Sequence, residues 1–340
     1  MQIFIHKQEG SFSDRWIEWC GHKNIEFTIV NCFDVDIISR INKGDVLLWH
    51  WEQNDIRALT FARHIIAALQ EKGANVFPDI RICWHYDDKV AQKYLLESIG
   101  APLIPTYIFY DKKEAKEWIK QASFPKVFKL RRGAGSANVK LVKNVRSALE
   151  LCDIAFAAGF NPQPGYFNDA NTKIRKIKNT KSLFEKLQRF PHVAISNYLR
   201  RGVFPKERGY IYFQDFLANN NFDTRVTVIG NKAFGFIRQV RVNDFRASGS
   251  GVINYDPKGV DHRCLKIAFD VARKLSAKSL AFDFLYGRQN EVLIGEISYC
   301  YLPELIHNCP GYWKSDFIWV DGHFFPQDLI IGDMVCEYNS

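Results

Sequence analysis

LAFDFLYGRQNEVLIGEIS, residues 280–298, consists of two apolar, strand-like stretches around a polar turn, and each stretch carries one carboxylate. These carboxylates belong to Asp283 and Glu296. In a hairpin whose loop of two or four residues is centred on Gln289 and Asn290, Asp283 falls directly opposite Glu296, with the Cβ atoms about 5 Å apart. The segment therefore predicts two anions directed at one point.

Facing carboxylates repel each other, so a half-buried pair must share a proton or hold a cation. Ser298 follows Glu296 by two residues on the same strand face and adds another hard oxygen. Such an all-oxygen set suits Mg²⁺, which keeps waters and completes its shell with substrate phosphates. The alternative is a solvated hairpin that carries acids at facing positions without an ion.

The composition is that of a globular protein of two or three domains, with 340 residues, 47% hydrophobic and 24% charged. The N-terminal ten residues lack the pattern of a signal peptide, and no apolar run is long enough for a membrane span. The eight cysteines are scattered, with no CxxC pair. Reduced thiols and a cytoplasmic location are expected.

The net charge of +9 is concentrated in one segment. Residues 173–208 contain eleven Lys or Arg and two acids, an excess that equals the charge of the whole chain. Such a segment is either a solvated helix face or a binding surface for a polyanion. Few aromatic residues are interleaved with its charges, so nucleic-acid binding is not expected.

The first hundred residues alternate strand-like and helix-like stretches, which predicts a small parallel α/β domain. No GxGxxG supports dinucleotide binding. An α+β unit begins near Phe124, residues 161–182 are typical of a long loop, and antiparallel strands follow from Gly209.

Residues 127–142, VFKLRRGAGSANVKLV, place a lysine strand immediately before a glycine-rich turn. Lys129 lies within an otherwise apolar strand and needs an anionic partner. The turn contains Gly133, Gly135 and Ser136, small enough for backbone N–H groups to approach phosphate oxygens, although most such turns have no ligand.

Arginines accumulate on the strands that precede the hairpin. An arginine cluster near paired carboxylates indicates recognition of phosphate or carboxylate groups, and structural ion pairs are the alternative. The polar residues of this region are Asp223, Arg225, Arg238, Arg241, Arg246 and Ser248.

Taken in chain order, these segments resemble the ATP-grasp superfamily, in particular carboxylate–amine ligases such as D-alanine:D-alanine ligase, glutathione synthetase and the ribosomal-protein glutamate ligases. The resemblance runs from about Asp87 to Ser298. It rests on six successive phrases: DDKVAQKYLLESIGAPLIPT, FPKVFKLRRGAGSANV, YFQDFL, DTRVTVIGNKAFGFIRQ, NDFRASGSG and FDFLYGRQNEVLIGEIS.

The resemblance implies an α/β and α+β ATP-grasp fold with three parts: an N-terminal parallel α/β domain (1–87), a central lid subdomain (88–213, with a basic insert near 161–208) and a C-terminal antiparallel subdomain (214–340). ATP would be held between the last two parts. Lys89 and Lys129 would bind the ATP phosphates, beneath a lid formed by the loop of Gly133, Gly135 and Ser136.

The remaining assignments also follow from the resemblance. The adenine would be held at a hinge formed by Gln214, Asp215, Phe216 and Leu217, and the ribose by Asp223. The transferred phosphoryl group would be surrounded by Arg238, Arg246 and Ser248, the substrate contacted by Arg225 and Arg241, and one or two Mg²⁺ ions bound by Asp283, Glu296 and Ser298.

The activity implied is ATP-dependent joining of a carboxylate to an amine through an acyl phosphate. The basic segment favours an acidic acceptor, such as a uronic-acid surface polysaccharide or its precursor; a peptide, a protein or a small amino acid is the alternative. Ser248 and Ser298 stand where the family commonly has Asn, which leaves open an ATP-binding scaffold without turnover. Phosphate transfer to a hydroxyl and a homodimer also stay open.

Overall fold

The computed structural model describes residues 1–53, 55–133, 138–162, 205–240 and 251–336. It forms two compact units. The larger unit comprises Met1–Ile104 and Leu217–Ser340, and the central unit comprises Pro105–Phe216. The three-part division expected from the sequence stays a prediction.

The secondary structure follows the predicted order. The strands are β1 (Ile3–His6), β2 (Thr28–Val30), β3 (Val46–Leu48), β4 (Asn75–Phe77), β5 (Thr106–Phe109), β6 (Lys126–Lys129), β7 (Val139–Val142), β8 (Ile211–Asp215), β9 (Phe222–Ile229), β10 (Lys232–Gln239), β11 (Ile253–Asn254), β12 (Ser279–Tyr286), β13 (Val292–Ser298), β14 (Gly311–Lys314) and β15 (Trp319–Asp321). The helices are α1 (Phe12–Lys23), α2 (Ile37–Arg40), α3 (Ile56–Glu71), α4 (Ile80–Cys83), α5 (Lys89–Ser98), α6 (Lys112–Gln121), α7 (Val145–Ala155), α8 (His262–Lys274), α9 (Pro303–His307) and α10 (Pro326–Cys336).

The N-terminal part of the larger unit is a parallel sheet of four strands in the order β2-β1-β3-β4, as the alternation predicts. The strands β1 and β3 are buried along their whole length, which is typical of a parallel sheet covered on both faces. Helix α3 begins after Asp55, whose side chain accepts a hydrogen bond from the backbone N–H of Ala58 and satisfies one otherwise unpaired donor.

The C-terminal part of the larger unit is built on a seven-stranded sheet with the order β13-β12-β9-β10-β14-β15, in which β11 pairs with β10. All its strand pairs are antiparallel. Helix α8 packs on β9 through its buried face, which includes Leu265 and Ala268. This sheet carries the two predicted carboxylates at its edge, on β12 and β13.

The central unit has an antiparallel sheet in the order β5-β8-β6-β7. Helices α6 and α7 pack against each other, and their buried residues Ala115, Ile119 and Cys152 join Phe213 of β8 in one apolar core. Strand β8 lies between β5 and β6, so residues 212–215, the first four of the YFQDFL phrase, lie on an inner strand of this sheet.

None of the described helices is long and apolar enough to cross a membrane. All eight cysteines are free thiols.

Candidate functional site

Asp283 and Glu296 face each other across β12 and β13, as predicted. The loop length and the strand pairing that produce this register differ from the prediction. The outer end of the hairpin pairs Tyr286 with Val292 around a five-residue loop, one residue out of step with the Asp283–Glu296 pair. A β-bulge between Ile294 and Glu296 restores the register. The extra residue is Gly295, which brings Glu296 opposite Asp283.

Asp283 is held by two arginines. Arg225 of β9 binds it through Nε and Nη2, at 2.7 and 2.8 Å from the two carboxylate oxygens. Arg238 of β10 lies 2.9 Å from Oδ2 of Asp283 and also binds both oxygens of Asp223, at 2.7 and 2.6 Å. The strands β9, β10 and β12 thus hold a line of alternating charges in the order Asp223, Arg238, Asp283, Arg225.

The line of charges sets the ionisation of its carboxyl groups. Burial raises the pKa of Asp283, but Arg225 and Arg238 outweigh burial and hold this pKa far below the ordinary range. Burial also raises the pKa of Asp223, and Arg238 only partly offsets this. Asp283 is therefore a permanent anion at neutral pH.

Glu296 is the more accessible carboxylate, with 36% of its side chain exposed. Its Oε1 lies 3.5 Å from the Nζ atom of Lys89, which is buried at 5% exposure. Lys89 is the first residue of α5, which Asp88 caps by accepting hydrogen bonds from the N–H groups of Val90 and Ala91. Two residues that the sequence analysis assigned separately, to phosphate and to metal, are thus brought together.

Ser298 does not present a free hydroxyl. Its Oγ donates to the carbonyl of Cys300 at 2.7 Å and accepts from the N–H of Cys300 at 3.2 Å. Only one lone pair of this oxygen is left for another partner. Direct metal ligation by Ser298 therefore stays a prediction.

Few oxygen atoms of this site have lone pairs left for Mg²⁺. Oδ2 of Asp283 already accepts from two guanidinium groups, whereas Oδ1 accepts from one and keeps lone-pair capacity. Glu296 adds an exposed carboxylate. Among the described residues, no group of three or more His, Cys, Asp or Glu side chains is arranged so that it could hold a metal ion. One or two carboxylates completed by water and substrate phosphates are the usual protein contribution to a Mg²⁺ site.

In the central unit, Lys129 is the last residue of β6, where it pairs with Val139 and is partly exposed. Gly133 is buried and adopts a φ of 117°, in the region that favours glycine, so the chain turns there as the glycine-rich phrase predicts. The lid loop beyond it is not among the described residues.

The predicted adenine hinge coincides with the boundary between the two units, which falls between Phe216 and Leu217. The side chain of Gln214 is buried and donates to Thr106 at 3.0 Å. Asp215 accepts from the Nζ of Lys126 at 2.6 Å, and its backbone N–H donates to the carbonyl of Pro105. Adenine recognition by these residues stays a prediction.

Five further predicted site residues lie outside the described residues, as does most of the basic segment. They are Gly135, Ser136, Arg241, Arg246 and Ser248.

Sequence reasoning missed two buried polar residues. Lys126 is 6% exposed and lies near the rings of Tyr107 and Trp118 in addition to Asp215. Gln92 accepts from the N–H of Ile297 and donates to the carbonyl of His85, which ties α5 to β13 beside Glu296. Lys126 had a signal, a lysine within an apolar strand, but that reasoning was applied to Lys129.

Comparison with solved structures identifies the fold. A RimK-domain ATP-grasp protein from Sphaerobacter thermophilus has a TM-score of 0.54 at 14% identity, covering 99% of this chain and all of that chain. The D-cycloserine synthetase DcsG gives 0.58 at 12% identity, with full coverage of both chains. The ATP-grasp ligase PsnB, solved with the precursor peptide PsnA2 and AMPPNP, gives 0.55 at 10% identity over 99% of this chain and 98% of that chain.

No protein-family model and no curated protein matches the sequence. The fold is nevertheless that of the ATP-grasp enzymes, which confirms the fold class inferred from the six phrases.

Proposed function

We propose that the protein is an ATP-dependent carboxylate–amine ligase that forms an amide through an acyl phosphate. The observation that carries the proposal is the pairing of Asp283 with Glu296, flanked by Lys89, Arg225 and Arg238, on an ATP-grasp scaffold. The two carboxylates would hold a metal ion, and this ion together with the adjacent fixed cations would suit a phosphoryl group that carries several negative charges.

The reaction has two steps. An oxygen of the substrate carboxylate forms a bond to the γ-phosphorus of ATP as the bond to the β,γ-bridging oxygen breaks, which gives an acyl phosphate and ADP. The amine then attacks the acyl carbon, inorganic phosphate leaves with its oxygen, and the nitrogen loses a proton. Neither step needs a side-chain nucleophile.

The chain's own residues would mainly position and neutralise charge. Lys89 would bind a phosphate oxygen from the start of α5, and Lys129 would do the same from the end of β6. Arg238 would face the transferred phosphoryl group, with Asp223 holding the guanidinium in orientation through two hydrogen bonds. Arg246 and Ser248 are proposed to join it.

Asp283 and Glu296 would hold Mg²⁺, with Ser298 contributing through water. When bound, the ion would supply positive charge that offsets the charge of the phosphates. Oδ1 of Asp283 and the carboxylate of Glu296 are the protein oxygens with capacity for it.

The acceptor is proposed to be an acidic molecule. The basic segment 173–208 supports a uronic-acid glycan or its precursor. The similarity to PsnB, which was solved with a precursor peptide, supports a peptide acceptor as the second candidate.

The test is phosphate release from Mg·ATP by the full-length protein, with pools of uronate glycans, acidic peptides and amino acids. Glu296→Gln is expected to reduce turnover at least 100-fold, because it removes the accessible anion. Glu291→Gln, an exposed acid in the loop of the same hairpin, is the matched control and should retain full activity.

Release that requires both a carboxylate and an amine, and that is lost only in Glu296→Gln, supports the ligase. Tight ATP binding without release in every pool favours the scaffold. A stable phosphorylated hydroxyl product instead of an amide favours a kinase.

A further inference from the structure

A cavity of about 590 Å³ opens at the carboxyl ends of β1 and β2, within the larger unit. His6, Lys7 and Gln8 line it from the end of β1, and Asp55 and Arg57 line it from the start of α3. Its volume lies in the range of small-molecule sites, roughly 300–1,000 Å³.

The cavity presents donors for an anion. The Nδ1 atom of His6 accepts a hydrogen bond from the N–H of Cys32 at 2.9 Å. Because burial lowers the pKa of His6, the ring is neutral at pH 7, and its proton must be on Nε2, where it can be donated. The His6 side chain is thus a fixed donor with one defined tautomer.

Two cations of the cavity wall have no acidic partner within 4.0 Å in the part of the chain that the structure describes. These are Lys7 and Arg57. The guanidinium of Arg57 is held 3.8 Å above the ring of Phe33. The third cation, Arg40, is neutralised by ion pairs with Asp34 and Asp36.

The cavity also presents acceptors for a cation or an N–H group. Oδ1 of Asp55 caps α3, and among the described residues no cation lies within 4.0 Å of this carboxylate. The Oε1 atom of Gln8 is buried without a hydrogen-bond partner in the described structure. Asp55 and Arg57 line the same cavity as His6, together with Asp34, which is paired with Arg40.

We propose that this cavity binds an amino acid as a zwitterion. Its carboxylate would lie against His6, Lys7 and Arg57, and its ammonium group against Asp55 and Gln8. The proposal goes beyond the proposed function, because it assigns to this cavity a ligand of its own. A plain anion would leave the charge of Asp55 unmatched, and a plain amine would leave the charges of Arg57 and Lys7 unmatched.

The test is a titration by saturation-transfer difference NMR of the full-length protein without ATP or Mg²⁺. The probes are four pools of the twenty L-amino acids, with propionate and ethylamine as the two halves of alanine. Saturable binding is expected for at least one pool, and the amino acid found should bind at least tenfold more tightly than either half molecule.

Two variants locate the binding. Arg57→Gln removes an exposed cation, and Asp55→Asn removes the charge but keeps a residue that caps helices well. Each should weaken binding at least tenfold. Arg63→Gln, an exposed arginine on α3 outside the cavity wall, is the control and should bind like the unmodified protein.

Absence of saturation in every pool, or binding unchanged in both cavity variants, overturns the proposal. Propionate binding as tightly as the amino acid overturns it in favour of a simple anion site. Because ATP is absent from the titration, the two proposals can fail separately. Phosphate release without amino-acid binding in the titration contradicts only this inference. Amino-acid binding without turnover contradicts only the ligase.

Discussion

Among single residues, the two described arginines of this site differ in the number of carboxylates that each one binds. Arg238 contacts both Asp223 and Asp283 and has a side chain 6% exposed, whereas Arg225 is 17% exposed and, among the described residues, forms an ion pair with Asp283 alone. Loss of Arg238 leaves two buried carboxylates without their shared cation. Loss of Arg225 leaves Asp283 with one remaining partner.

We therefore expect Arg238→Gln to lower the free energy of unfolding by about 3 kcal/mol or more, as removal of one partner of a buried ion pair does. Arg225→Gln should cost about 1.5 kcal/mol, the lower end for hydrogen bonds to a charged group, because Asp283 keeps Arg238 as a partner. Urea unfolding of the two variants measures the difference. Equal costs, or the reverse order, would show that the line of charges is not organised around Arg238.

Ser298 provides a second prediction. Because its hydroxyl already bonds Cys300 in both directions, we expect Ser298→Ala to raise the Mg²⁺ concentration for half-maximal phosphate release by less than about threefold, as loss of a water-mediated contact would. A Mg²⁺ titration of turnover gives the value. An increase of tenfold or more would identify Ser298 as a direct ligand.

At the scale of elements, strand alternation and turn position were enough to predict that Asp283 faces Glu296. They did not predict the loop of five residues or the bulge at Gly295. The longer loop shifts the register by one residue and the bulge shifts it back, so the pairing of the inner half of the hairpin is the same with or without them. Nor can alternation tell which carboxylate an arginine binds. Asp223 and Asp283 both lie next to Arg238 because β9 pairs with β10 on one side and with β12 on the other. Alternation within a strand does not predict this strand order.

The segment after β3 makes the stability depend on pH through its buried histidine. His50 stacks on Phe12 with ring centroids 3.9 Å apart, and burial lowers its pKa to about 3. Burial lowers the pKa of His85 to about 4. Both rings stay neutral in the folded protein while they protonate in the unfolded chain below the ordinary value of 6.5. The unfolded state then binds more protons, so stability falls as the pH falls from about 6.5 towards 4.

His50→Phe should keep the stack with Phe12 and reduce the slope of unfolding free energy against pH by up to about 1.4 kcal/mol per pH unit between pH 4 and 6. Chemical denaturation at several pH values measures this slope. His64→Gln, an exposed histidine on α3, should leave it unchanged. An unaltered slope in His50→Phe would contradict a buried neutral His50.

At the scale of the whole molecule, the assigned nucleotide-binding residues are distributed over both units. Lys89, Asp283 and Glu296 belong to the larger unit, and Lys129 and Gln214 belong to the central unit. The order of phrases along the chain predicted the fold, because each phrase combines a structural element with its polar residues. The acceptor could not be predicted with the same force, since charge in a segment indicates an anion without defining its chemistry.

If Mg·ATP binds the native state and not the unfolded state, it should raise the free energy of unfolding by about 2.7 kcal/mol at a concentration one hundred times the dissociation constant. We expect Lys129→Met to lose most of the corresponding rise in melting temperature at the same nucleotide concentration. Lys140→Met, an exposed lysine on the adjacent strand β7, should retain it. Equal rises in both variants would remove Lys129 from the nucleotide site.

In the proposed reaction, a carboxylate oxygen of the substrate passes to the released phosphate. The most direct measurement uses the active substrate pool with ¹⁸O-labelled carboxylates and determines the isotope content of the phosphate by mass spectrometry. The acyl-phosphate mechanism predicts one ¹⁸O in each phosphate released. Phosphate that takes its new oxygen from water would show simple ATP hydrolysis and would contradict the ligase.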